Sequence, residues 1–189
     1  FHVDHHLEHR VALELGSFTV TPWLVDHSAY DSYALLVEAG GKRLLYTGDV
    51  RTHGRKSKSL MDLAVEAGAI DILIMEGTRV GPTDDGRSSM SERDVEDAVA
   101  EEMSETDGMT LLFFSPQNID RLVSLYRAAR RSNRVFVMDL YAASIVAATG
   151  NQNIPQASWD GVRVFVPSAQ RRRVIQESAF HRIERLHER

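Results

Sequence analysis

The chain has 189 residues, 43% of them apolar, and a formal net charge of −5 at pH 7. That length and apolar share make one large folded domain or two small ones, and the negative balance argues against a nonspecific coat for nucleic acid while allowing a local basic groove. With no cysteine and eight histidines, the chain has neither a disulfide framework nor a thiolate site, so any metal is held by imidazole nitrogen and carboxylate oxygen.

The first residues, FHVDHHLEHR, lack the apolar core of a signal peptide, and no apolar run approaches the ~20 residues of a membrane span. A cytoplasmic location is therefore expected. This acidic, His-rich start runs straight into a strand with no leader, which reads as a piece of a longer protein.

Residues 17–25, SFTVTPWLV, read as a β-strand with an irregular end at Pro22. Residues 33–39 and 42–48, YALLVEA and KRLLYTG, are apolar strands joined by Gly40-Gly41, a pair that tolerates the positive φ angles of a tight hairpin. Residues 58–68 have helical spacing at Leu60, Leu63, Ala64 and Ala67 with a glycine stop, and 71–75, DILIM, look too uniformly apolar for an edge strand. From Gly81 to Ser89 the composition turns to Pro, Asp, Gly and Ser, which predicts a loop and a domain boundary, with domains at 1–80 and 81–189. Ser89 and Glu92 form a capping-box pattern opening a helix to about Glu105. A strand at 110–115, a helix at 117–131, a strand at 134–139, a helix at 140–148, a strand at 162–166 and a helix from about Ser168 follow. Such alternation predicts an α/β fold with a parallel, doubly wound sheet in the second half.

The chemistry is expected at strand ends. His27 follows the apolar Leu24-Val25 and precedes a small polar loop, so it can leave the sheet and point into a cleft, or else hydrogen-bond Asp31. In YTGD, Gly48 allows a sharp turn that carries Asp49 beyond its strand, where it can bind metal or orient a water; the plainer alternative is a turn or helix cap. Glu76 likewise follows an apolar run. The hairpin between His27 and Asp49 favours a metal site built on the two. Arg51, His53, Arg55 and Lys56 come directly after Asp49, placed to hold a substrate phosphate or to lie solvated.

Further cations, Arg127, Arg130, Arg131 and Arg134, cluster at a helix end where they also complement its dipole, and Arg171 to Arg173 begin a helix, where a partner is more attractive. Ser115-Pro116-Gln117-Asn118 reads as a simple N-cap in preference to a helix start whose N–H groups face an anion. His2, His5, His6 and His9 read as a solvated lead-in rather than a metal cluster.

VDHSAYDSYALLVEAGGKRLLYTGD at 25–49, followed by IDILIMEGT at 70–78, resembles the metallo-β-lactamase superfamily, in its ribonuclease J-like, β-CASP branch of nucleic-acid hydrolases. SPQNIDRLVSLYRAARRSNRVFVMDLYAA, from 115, is similar to the opening of the β-CASP domain inserted in that branch. The resemblance implies part of an αββα metallo-β-lactamase fold over 1–80 and part of a β-CASP-like α/β domain over 81–189. It also implies one or two Zn²⁺ ions, with His27 as a ligand, Asp49 bridging the metals and Glu76 beside them orienting ligands or water.

The implied activity is a nuclease that cleaves phosphodiesters with a metal-activated water, RNA placed ahead of DNA as partner and homo-oligomer formation left open. The family's HxHxDH loop is not intact here. His2-Val3-Asp4-His5 has the spacing of its second half but lies too close to His27 for the elements normally between them. The chain alone is therefore expected to bind metal weakly and to have little activity. Two rivals stand beside this reading, a non-catalytic interaction module and a metallo-hydrolase of a small ester or thioester.

Overall fold

The computed structural model describes residues 6–78 and 89–178 and divides into two units, Phe1–Ser91 and Glu92–Arg189. The division falls later in the chain than the boundary expected after residue 80.

In the first unit β1 (Leu13–Leu15) pairs antiparallel with β2 (Phe18–Leu24). β2 pairs on its other side with β3 (Tyr33–Ala39), and Pro22 stands inside it, opposite Leu35, rather than at an irregular end. Residues of a strand point N–H and C=O to the same side, and the Pro22 carbonyl accepts from the Arg10 N–H at 2.8 Å. The missing proline N–H therefore faces the segment beyond β1, where no ladder bond is lost. The next amide on that side, Leu24 N–H, donates to His9 Nδ1 at 2.9 Å, and the Arg10 guanidinium lies 4.7 Å from the centre of the Trp23 ring. His9 thus holds the lead-in against β2; His2 and His5 lie outside the described residues.

β3 and β4 (Lys42–Tyr46) form the expected hairpin, with Ala39 opposite Lys42 and both linking glycines at positive φ, 56° and 72°. α1 (Ser59–Glu66) follows and turns Leu63 and Ala67 into the sheet with Leu60 beside them. Ala64, expected on that face, is exposed. Gly68 ends the helix at a φ of 65°, the left-handed value that favours glycine after a C-cap. α1 then delivers the chain to β5 (Ile72–Ile74), parallel to β4.

The sheet order is β1-β2-β3-β4-β5, and its core is Trp23, Val25, Ala34, Leu36, Leu45, Leu63 and Ala67. β5 is an edge strand among the described residues, and Ile72, Leu73, Ile74 and Met75 are exposed. Its apolar run reported strand propensity, not a neighbour on both sides.

The second unit opens with α2 (Glu92–Glu105) packed on α3 (Ile119–Arg131), with Ala100 and Met103 buried on one helix and Leu122, Leu125 and Ala129 on the other. Glu92 is the first helical residue, not the third as a Ser89 capping box requires. Its carboxylate turns inward to Arg121 and Ser124. Asn118 caps α3, accepting from Arg121 N–H at 3.1 Å, in keeping with the N-cap expectation.

β6 (Phe136–Asp139), α4 (Leu140–Ala148) and β7 (Val162–Phe165) make a parallel βαβ unit, with Phe136 opposite Val162, and α5 (Ser168–Gln176) follows. The strand expected at 110–115 does not form. β6 takes its ladder bonds from β7, and among the described residues no backbone bond joins 109–114 to it. Phe113 faces outward, while Leu111, Leu112 and Phe114 line an apolar cavity of about 690 Å³ against β6. The described residues thus form a mixed α/β protein, with a two-stranded parallel sheet in place of a full doubly wound one.

Candidate metal site

β2 is antiparallel to β3 and β3 to β4, so β2 and β4 run the same way, and β5 is parallel to β4. The residues that follow these three strands therefore emerge at one edge of the sheet. His27, Asp49 and Glu76 are those residues.

Val25 and Asp26 are fully buried beyond the end of β2, which carries the chain off the sheet at His27. Beyond β4, the Thr47 N–H donates to the Ile74 carbonyl at 3.0 Å, and the Thr47 hydroxyl donates to the Gly48 carbonyl at 2.8 Å. Gly48 turns at a φ of 58° and releases Asp49 to the surface. A methyl group at Gly48 would sit 3.0 Å from the Tyr33 carbonyl oxygen. Gly48→Ala is thus expected to lower stability by about 1–2 kcal/mol, from left-handed strain alone, with a further loss from that close contact. A urea midpoint equal to wild type would refute it.

His27 Nε2 lies 3.9 Å from Asp49 Oδ2, with the side chains 29% and 72% exposed. A tetrahedral zinc with ordinary Zn–N and Zn–O lengths sets its ligand atoms about 3.4 Å apart, so a side-chain shift of about 0.5 Å brings this pair onto one ion. On the other side of the ring, Nδ1 faces the Ala29 N–H and the Ser32 hydroxyl, both at 3.3 Å. An Nδ1 that accepts from Ala29 leaves the proton on Nε2, directed at Asp49. Were a metal held through Nε2, the proton would belong on Nδ1, where the Ser32 oxygen could accept it. The sequence alternative, a hydrogen bond from His27 to Asp31, is not the one formed.

Glu76 holds the loop rather than a ligand position. One of its carboxylate oxygens accepts from the Val50 N–H at 2.6 Å, next to Asp49. The Thr78 hydroxyl and then the Val50 amide hold this carboxyl below its ordinary value of 4.5, with the His27 charge adding a little and desolvation opposing. The folded pKa is the lower one, so the stability this group contributes is complete above about 4.5 and is lost as pH falls through the folded value. Glu76→Gln is expected to flatten that acid limb. Urea unfolding of the variant and wild type between pH 6 and pH 3 checks it, and parallel curves would refute the assignment.

Arg51, read from the sequence as a phosphate contact, is committed inside the protein. Its Nε donates to Asp26 Oδ1 at 3.2 Å, and its side chain is 12% exposed. The partner carboxylate is 0% exposed and also accepts from the Gly54 N–H at 2.7 Å. Lys56 Nζ donates to the Tyr30 carbonyl at 3.3 Å, and His53 and Arg55 are half-buried in the same loop. Asp26, Ser32 and Gly54 were not singled out in the sequence. A charge abutting Val25 with no partner nearby in the chain was the available signal.

In the second unit the arginines largely serve the fold. Arg131 bonds Asp97 at 2.5 Å and Glu96 at 3.4 Å, Arg173 bonds Glu177 at 2.7 Å, and Arg134 donates to the Thr106 and Gly108 carbonyls at the end of α2. Among the described residues no three His, Asp or Glu side chains gather as a metal would require, and no helix is long and apolar enough to cross a membrane.

No family profile matches this chain, and no curated protein does. The fold is shared. A solved structure of a protein of unknown function from Enterococcus faecalis V583 matches 87% of this chain with a TM-score of 0.66 at 21% identity. The match spans 41% of that other chain, so the present chain covers less than half its length.

Proposed function

We propose that this chain supplies part of the site of a metal-dependent hydrolase that cleaves phosphodiesters, RNA ahead of DNA, in the manner of the ribonuclease J-like, β-CASP branch of the metallo-β-lactamase superfamily. The observation that carries this reading is the meeting of His27 and Asp49 at 3.9 Å, beyond the ends of two strands that run the same way. An imidazole nitrogen beside a carboxylate oxygen suits Zn²⁺. One or two Zn²⁺ ions, when bound, would acidify a water and offset charge developing on phosphate oxygens. His27, through Nε2, and Asp49, through its carboxylate, would hold the metal. Glu76 fixes the backbone after Asp49, and Arg55 and Lys56 give the adjoining loop positive charge, with His53 between Arg51 and Arg55.

One observation favours a second reading, a non-catalytic module: the described residues bring only two ligand-type groups together. A small-ester hydrolase would use the same pair and differ in substrate alone. Calorimetric titration with Zn²⁺, run beside hydrolysis assays on labelled single-stranded RNA, DNA and a thioester, tests all three. We expect weak zinc binding by this chain, lost in His27→Ala, and RNA as the preferred substrate. Zinc affinity unchanged by His27→Ala would overturn the proposal, as would faster turnover of the thioester.

A further inference from the structure

We infer that Asp26 is a positioning residue that sets the separation of His27 and Asp49, an inference that rests on the metal reading above. Asp26 immediately precedes His27 and grips the loop after Asp49 at three points. Its carbonyl accepts from the Arg51 N–H at 2.8 Å, Oδ1 accepts from Arg51 Nε at 3.2 Å, and Oδ2 accepts from the Gly54 N–H at 2.7 Å. Backbone and side chain of one residue thus tie the end of β2 to the turn that leaves β4. Glu76 holds the intervening Val50 N–H at 2.6 Å. Residues 50, 51 and 54 are therefore each fastened by a carboxylate that is not itself a ligand.

The space around Asp26 is closed. A Cβ at Gly54 would lie 2.1 Å from Asp26 Oδ1 and 2.6 Å from an Arg51 nitrogen, so glycine is the residue that lets the loop approach the buried carboxylate. A buried ion pair is a poor source of stability compared with apolar side chains of equal volume, because desolvation offsets most of its attraction. What the pair does supply is direction. The hydrogen bonds fix where the chain leaves each strand, and hence where the imidazole and the carboxylate meet.

The test uses Asp26→Asn, which keeps an acceptor for Gly54 but removes the charge opposite Arg51, and Arg51→Lys, which keeps the charge but loses the planar Nε contact. Four readouts are taken on the full chain: melting temperature, amide exchange, the nuclear Overhauser contact between the His27 ring and the Asp49 methylene, and Zn²⁺ affinity. Expected for both variants are a folded protein, faster exchange at the Arg51 and Gly54 amides with β3 and β4 unchanged, a weakened His27–Asp49 contact, and zinc affinity down by about 10–100-fold.

A purely structural role would lower the melting temperature and leave the contact and the affinity as they were, which overturns the inference. If Asp26→Asn does not fold, Arg51→Lys alone decides between the two roles. If wild type binds no zinc at all, the metal reading fails, and the exchange and contact measurements alone decide the role of Asp26.

Discussion

On the metal-hydrolase reading proposed above, Asp49→Ala is expected to lower RNA hydrolysis by about 10²–10³-fold or more, the loss seen when one well-placed electrostatic stabiliser is removed, while the fold is unaffected. The second half of that statement makes the first informative. Asp49 is 72% exposed and faces His27 at 3.9 Å, so truncating it leaves no cavity and orphans no buried group. The turn that presents it is fixed elsewhere, by Gly48 at positive φ, by the Thr47 N–H on Ile74 and by Glu76 on Val50. A carboxylate so exposed, on a turn held by so many other contacts, has little structural work of its own. The measurement is initial-rate cleavage of a labelled single-stranded RNA, beside the urea midpoint. Hydrolysis within about two-fold of wild type, with the fold intact, would remove Asp49 from the mechanism. Loss of hydrolysis together with loss of stability would instead make the residue structural.

The pair His27 and Asp49 was legible because its logic is one-dimensional. An apolar run, a polar break and a two-glycine hairpin fix strand direction, and direction fixes which ends share an edge. What escaped was pairing between residues distant in the chain. Arg51 looked like a phosphate contact, since nothing in the sequence links it to Asp26, 25 positions earlier. Glu92 fitted a capping box, since local spacing does not show that Arg121 and Ser124 offer it a buried site. The run at 110–115 has every local preference of a strand, but a strand exists by virtue of its ladder, and β6 gives its ladder to β7. Pro22 failed in the opposite sense: its local rule was right, and the side of β2 on which it falls made the rule harmless.

Buried charge in the second unit gives the largest expected effect on stability. Glu92 is 2% exposed and receives Arg121 Nε at 3.1 Å and the Ser124 hydroxyl at 2.8 Å. Arg121→Ala leaves that carboxylate inside with one neutral donor, and breaking a buried pair in this way costs about 3–5 kcal/mol. The Arg121 side chain is 32% exposed, so water reaches the gap and the lower end of that range applies. A loss of about 3 kcal/mol is a large part of the 5–15 kcal/mol that holds a domain together. Replacing both partners, Glu92→Met with Arg121→Met, is expected to recover most of it, because the desolvation penalty leaves with the charges. Trp159 packs edge-on against Tyr126 of α3 at 5.4 Å, so its fluorescence in a Trp23→Phe background follows this unit through urea unfolding. A double variant as unstable as Arg121→Ala would show that α2 and α3 depend on the ion pair itself, not on relief from an unpaired charge.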